Sequence, residues 1–258
     1  MKTVEHFVQV YLDCEFSRLP LPKDEEWIQK RIEVFERLTL RSLKAQTLSD
    51  FKIILLCGRT HKKTTMAHKW DAQVFPSYSF GRDRFTASKA DYIAITRIDS
   101  DDLYHREAMA DVHQNLICTP NRRECLIFRH AMTWDMINKI LTPRHRRSPP
   151  FYTHIYPRAM YMDWKRFRAD HFTGHGRAGG RLPETKELPE GRVIVTKGDW
   201  NIGYIKRNVI LEKMTKEARA KYLVEEPLGA IGDKKTITEI LAGFGIENGW
   251  EAYPWKKR

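Results

Sequence analysis

Asp99, Asp101 and Asp102 put three carboxylates into four consecutive positions, directly after the apolar run Asp91 to Ile98. Two acids one residue apart in extended chain project to the same side. Together they can hold a hard divalent cation whose remaining positions take phosphate oxygens. A cation so placed stabilises the charge that builds on a departing phosphate. Helix capping accounts for one aspartate before a helix, because Asp is favoured at N-caps and in first turns. It does not account for three. Metal-dependent nucleases also use a D-x-D after a strand, so these residues alone leave group transfer and phosphodiester cleavage both open.

The flanking sequence predicts how the acids are positioned. His6 to Leu12 reads as a strand. Asp24 to Ala45 reads as a helix whose Ile28, Ile32, Phe35 and Leu38 form one apolar stripe, leaving Lys30, Arg31, Glu33 and Glu36 to water. Phe51 to Cys57 is apolar nearly throughout and stops at Gly58, as a strand covered on both faces would. Short helices are expected over Thr60 to Trp70 and Arg82 to Lys89, then a third buried strand, then a helix starting near Leu103 with Met109, Val112 and Leu116 turned inward. The acids therefore fall at the carboxyl end of a parallel strand, where open α/β sheets collect ligands. Beyond Pro120, Glu124 to Arg129 and Met132 to Leu141 look strand-like, the basic stretch Thr142 to Pro150 looks like an interruption, and Thr236 to Phe244 looks like a last helix. With no clean linker and no repeat, one α/β domain over residues 1–258 is expected.

Composition narrows the partners. A chain of 258 residues with 41% hydrophobic and 11% aromatic content can bury a core, which excludes collagen, coiled coil and wholesale disorder. Lys and Arg exceed Asp and Glu by 45 to 33, and +7 of that +12 lies between Leu141 and Pro183. Such an excess suits an anionic partner. In that region Phe151, Tyr152, Tyr156, Tyr161, Trp164 and Phe167 interleave with the cations, a mixture suited to stacking on sugars or bases. Gly174 to Gly179 matches G-x-G-x-x-G but runs into Arg181-Leu182-Pro183 and not a helix, so a dinucleotide fingerprint fails its context. Cys14, Cys57, Cys118 and Cys125 include no C-x-x-C pair, and no apolar run is long enough to span a bilayer. The first sixteen residues lack an export signal, so a cytoplasmic protein is expected.

The segment Ala90 to Tyr104, ADYIAITRIDSDDLY, resembles the strand and D-x-D loop of GT-A type nucleotide-sugar glycosyltransferases. Its T-R-I-D-S-D-D core is similar to that of a bacterial rhamnosyltransferase family. Trp27, Arg31, Phe35, the run Thr39 to Leu43, Gln46-Thr47 and Phe51 resemble that family's first helix and second strand, and Ser148 to Phe151 resembles its S-P-F segment. The resemblance implies an α/β, GT-A (Rossmann-like) fold with a mixed, mostly parallel sheet and flanking helices. Residues 1–120 would bind the nucleotide sugar and residues 121–258 would form the acceptor side. It implies a hexosyl- or pentosyltransferase that uses Mn²⁺ or Mg²⁺ and a nucleotide diphosphate sugar.

Residue by residue, the resemblance implies that Asp99 faces the donor ribose or the metal, Asp101 ligates the metal and Asp102 caps the next helix. Arg82 or Arg84 would meet the diphosphate, and Tyr11 to Cys14, including Asp13, would approach the base. His171 or His175 would add a late metal ligand. Lys197 to Asn201 loosely echoes the family's H-G-x-N segment, which makes Asp199 the expected catalytic base, ahead of Asp163 and Glu184. The acceptor would meet basic residues 142–181 and be anionic: a glycan, or a hydroxylated base in DNA as in phage DNA modification. A basic nucleic-acid-binding protein or metal-dependent nuclease is the alternative.

Overall fold

A computed structural model describes residues 2–13, 24–145, 150–171, 185–198 and 229–247. Strands β1 (Val4–Tyr11), β2 (Lys52–Leu56), β3 (Val74–Ser77) and β4 (Tyr92–Asp99) lie parallel in the order β3-β2-β1-β4. The register places Tyr11 beside both Leu56 and Asp99, and Leu56 beside Ser77, so all four strands end on one line. Three later strands extend the sheet past β4. Antiparallel β9 (Tyr152–Pro157) comes first, then β6 (Glu124–Ile127), then β10 (Thr185–Glu187). The expected fold class, α/β with a mixed and mostly parallel sheet, is the one formed.

Alternation along the strands assigns the two faces. Val8, Val10 and Leu12 pack on the helical run α1 (Glu25–Val34), a π turn (Phe35–Thr39) and α2 (Leu40–Lys44), with α5 (Ala108–Gln114) beside them. The opposite face carries Phe7, Ile93, Ile95 and Tyr156, covered by α4 (Arg82–Ala87), α6 (Arg158–Met162) and α7 (Trp164–His171) through Phe85, Met160, Tyr161 and Phe167. Each large apolar side chain so buried contributes roughly 1.5–3 kcal/mol. Between β2 and β3 lies α3 (Lys62–Ala67). A second sheet runs β5 (Leu103–Tyr104), β11 (Val193–Lys197), β7 (His130–Asp135), β8 (Ile140–His145). Its core of Trp134, Leu141 and Ile194 is shared with Ile237 and Leu241 of α8 (Lys234–Ala242).

Several sequence expectations need correction. Leu103 does not open a helix: Leu103 and Tyr104 pair antiparallel with Ile194 and Val193, which delays the helix to Ala108. Thr142 to His145 is strand, not interruption. Asp135 accepts from the amides of Ile137 and Asn138, Lys139 turns at φ 57°, and the returning chain puts Pro143 opposite Met132 on the outermost strand. Proline is tolerated on an edge. The same reason hides β3, whose Pro76 lies on the rim of the larger sheet. Phe151, Tyr152, Tyr156, Tyr161 and Phe167 form no stacking platform, because all five are buried in the core. Arg31, expected in water, is buried.

Asp24 starts α1 by accepting the Trp27 amide at 2.7 Å. Losing such a cap costs about 1 kcal/mol, so Asp24→Ala should lower the melting temperature by roughly 2–4 °C in a calorimetric scan.

Candidate active site

The shared end of the parallel strands gathers chain segments that are far apart in sequence. Leu12 and Asp13 follow β1, Cys57 to His61 follow β2, Tyr78 to Arg82 follow β3, and Asp99 to Asp102 follow β4. Backbone bonds continue past the strand ends, from Leu12 N to Leu56 O at 3.1 Å and from Ser100 N to Tyr11 O at 3.2 Å. Asp13 is buried. It accepts from the Gly58 amide at 2.5 Å and from His61 Nδ1 at 3.1 Å. A Cβ on residue 58 would collide with the Asp13 carbonyl oxygen, so glycine is what lets the two strand ends close on each other.

The acid loop is held from two sides. From α1, Arg31 donates through Nη1 to Asp101 Oδ2 at 3.1 Å, and through Nη2 to Ser100 Oγ and to Leu12 O. In the π turn, Thr39 Oγ1 donates to the Asp102 carbonyl at 2.9 Å. From β11, Thr196 Oγ1 donates to the Asp101 carbonyl at 2.6 Å while its amide donates to Asp102 Oδ1 at 3.0 Å. Asp102 thus caps no helix; it ties the second sheet to the loop. Burial, with Asp101 and Asp99 alongside, pushes the Asp102 carboxyl well above the usual carboxylate range.

Asp99 is the acid of the three that water reaches, with 35% of its side chain exposed against 4% for Asp101. It accepts from Arg97 Nη2 at 2.9 Å, and Arg97 lies 4.4 Å over the Tyr11 ring. Tyr11 and Asp99 are register neighbours, so both stand at the strand ends as expected. Arg82 and Arg84 are exposed at the start of α4 beside the same edge, over the rings of Trp164 and Phe75 respectively.

His171 sits deeper. Gln9 Oε1 can only accept, so His171 Nε2 donates to it at 2.8 Å, which leaves Nδ1 to accept from Tyr156 OH at 3.2 Å. Both ring nitrogens are occupied there, and the structure does not bring His171 to the acids. Burial, with Arg123 and Arg97 nearby, lowers its pKa to about 3. Asp163 lies away from the acids in the turn before α7, accepting from the Arg166 amide at 3.1 Å. Asp199, His175 and Glu184 lie outside the described residues. Cys57 is an unreactive core thiol, pushed up to about 12 by burial.

A divalent cation held by Asp99 and Asp101 does not fit these residues. Asp101 is spent on Arg31 and Asp102 on Thr196, and among the described residues no three His, Cys, Asp or Glu side chains gather in a way that would hold a metal. Sequence reading missed Arg31 as a loop holder, along with Thr39, Thr196 and the Asp13–His61 pair. The available signal for Arg31 was its place four residues after Trp27 and three after Ile28, beside the apolar stripe and not opposite it.

His6, like His171, is buried with a pKa lowered to about 3, against an ordinary 6.5. An unfolded chain binds protons at these sites that the native state refuses. Their contribution is therefore full above about pH 6.5 and is lost as pH falls towards 3. Urea unfolding should show stability falling through that window, and His171→Gln should flatten the slope by up to about 1.4 kcal/mol per pH unit.

Residues 17–74 match the model of a family described as "Putative rhamnosyl transferase". Among solved structures, the chain is similar to TarS residues 1–349 of S. aureus at 13% identity, over 93% of this chain and 70% of that one, with a TM-score of 0.38. It is also similar to Rv0371c of Mycobacterium tuberculosis at 16% identity, over 76% and 90% of the two chains, with a TM-score of 0.36. Superpositions this loose carry no argument about activity. No curated protein matches significantly. The family match covers Trp27, Arg31, Phe35, Thr39, Ser42 and Gln46, and over that stretch it supports the resemblance to the rhamnosyltransferases.

Proposed function

We propose that this chain is a glycosyltransferase that moves a sugar from a nucleotide diphosphate donor to an acceptor hydroxyl. The observation that carries this reading is the water-facing carboxylate of Asp99 at the carboxyl edge of four parallel strands, in register with Tyr11 and flanked by the loop that the family-matched segment clamps. Donor binding at that edge lets Asp99 accept a hydrogen bond from a ribose or sugar hydroxyl, with Tyr11 beside the base; Asp13, buried under Gly58 and His61, braces the edge instead. Arg82 and Arg84 supply guanidinium groups for the diphosphate. In the transfer, the acceptor oxygen bonds to the anomeric carbon and the bond from that carbon to the phosphate oxygen breaks. The electron pair leaves with the diphosphate, and the acceptor proton passes to a base, for which Asp199 is the candidate.

The acceptor is proposed to be polymeric and anionic. In support, the described part of segment 142–181 leaves Lys165, Arg166 and Arg168 of α7 exposed. A hydroxylated base in DNA and a charged glycan share this chemistry, and retention on duplex DNA distinguishes them. DNA binding should weaken steeply with rising salt, and absence of retention on duplex DNA at low salt would remove that acceptor.

Purified protein should be screened for melting-temperature shifts with dTDP-rhamnose, UDP-glucose and their free nucleotides, because a ligand bound only by the native state raises stability with occupancy. Asp99→Asn should cut turnover of a shifting donor by about 10²-fold or more, the usual scale for one transition-state contact. No shift with any nucleotide sugar, or an undiminished rate in Asp99→Asn, would count against the reading.

A further inference from the structure

We propose that the guanidinium of Arg31 stands where a divalent cation would otherwise sit, so that this chain meets a diphosphate with arginine and not with metal. The diphosphate part rests on the glycosyltransferase reading; the displacement of the metal does not.

Each carboxylate of the D-x-D pair already has its own guanidinium. Arg31 reaches Asp101 at 3.1 Å and Arg97 reaches Asp99 at 2.9 Å, so the two negative charges are matched within the protein. The Arg31–Asp101 pair is also sealed from water, with side-chain exposures of 7% and 4%. A cation binding there would have to evict a buried guanidinium and enter with its own hydration shell removed, and Mg²⁺ in particular dehydrates reluctantly.

Arg31 is no swinging arm. Its Nη atoms hold the Leu12 carbonyl, Ser100 Oγ and Asp101 at once, and the Trp27 ring lies 6.0 Å from its Cζ. Nor can Asp101 rotate away cheaply, since Thr196 fixes its carbonyl while Thr39 fixes that of Asp102. Charge building on a departing diphosphate then falls to cations that remain exposed beside the strand ends, Arg59 after β2 and Arg82 and Arg84 at the start of α4.

The test uses the full chain and Mn²⁺ itself. Electron paramagnetic resonance of Mn²⁺ at equimolar protein, with and without UDP or dTDP, should show the free six-line signal undiminished for the parent and for Arg31→Lys. Arg31→Gln, which leaves the Asp101 carboxylate without its partner, should bind Mn²⁺ at least about tenfold more tightly than the parent. A parent that depletes the free signal, with Asp101→Asn restoring it, overturns the proposal even where Arg31→Gln fails to fold. Turnover gives a second arm: donor hydrolysis should be unchanged within about twofold by EDTA, and loss of activity that Mn²⁺ reverses would equally overturn it. If no nucleotide binds at all, the transferase reading fails while the resonance measurement still decides the place of Arg31.

Discussion

Everything at the carboxyl edge depends on one buried charge pair, Arg31 with Asp101. Burying two ions is expensive, and such a pair adds little net stability over apolar packing. Removing one partner, however, leaves an uncompensated charge in the interior at a cost of about 3–5 kcal/mol. The pair therefore favours docking of α1 in the register that delivers this guanidinium to the acid loop after β4. The Asp24 cap sets where that helix starts, and Ile28, Ile32 and Phe35 set which side faces the sheet.

The π turn at Phe35–Thr39 belongs to the same construction. One extra residue in the turn rotates all later positions by about 100° relative to a regular helix. Thr39 is thereby carried onto nearly the same side as Arg31, and from there it reaches the carbonyls of Asp99 and Asp102. One turn on, Ser42 and Gln46 take over: Ser42 Oγ accepts the Tyr104 amide, and Gln46 donates to the carbonyls of Tyr104 and His105 while accepting the Met109 amide. The polar residues of the family-matched segment thus have a physical task here. They are the polar face of a helix whose partner is a loop about sixty residues away.

The parallel core was legible in the sequence because β2 and β4 are continuous apolar runs and α1 has a clean stripe. Asp99 and Tyr11 could be placed for the same reason, since both follow from where an apolar run stops. What could not be read was the side chain that answers each acid. A stripe argument counts apolar positions and assigns every charge to water, yet Arg31 flanks the stripe closely enough to pass beneath the sheet edge. Proline concealed β3 and β8, because periodicity does not reveal which strands lie on a rim. The aromatics from 151 to 167 looked like a binding surface because their spacing cannot show that β9 is inserted between β4 and β6, with both of its faces covered.

That insertion has a bearing on biosynthesis. The first four strands are complete when residue 99 leaves the ribosome, but β4 then presents an open hydrogen-bonding edge until β9, some fifty residues later, emerges to fill it. The loop bearing the acids waits longer still, because its second clamp, Thr196, is synthesised almost a hundred residues after Asp102. A nascent chain stalled between these points carries a parallel half with an unpaired β4 edge and an acid loop still unsecured.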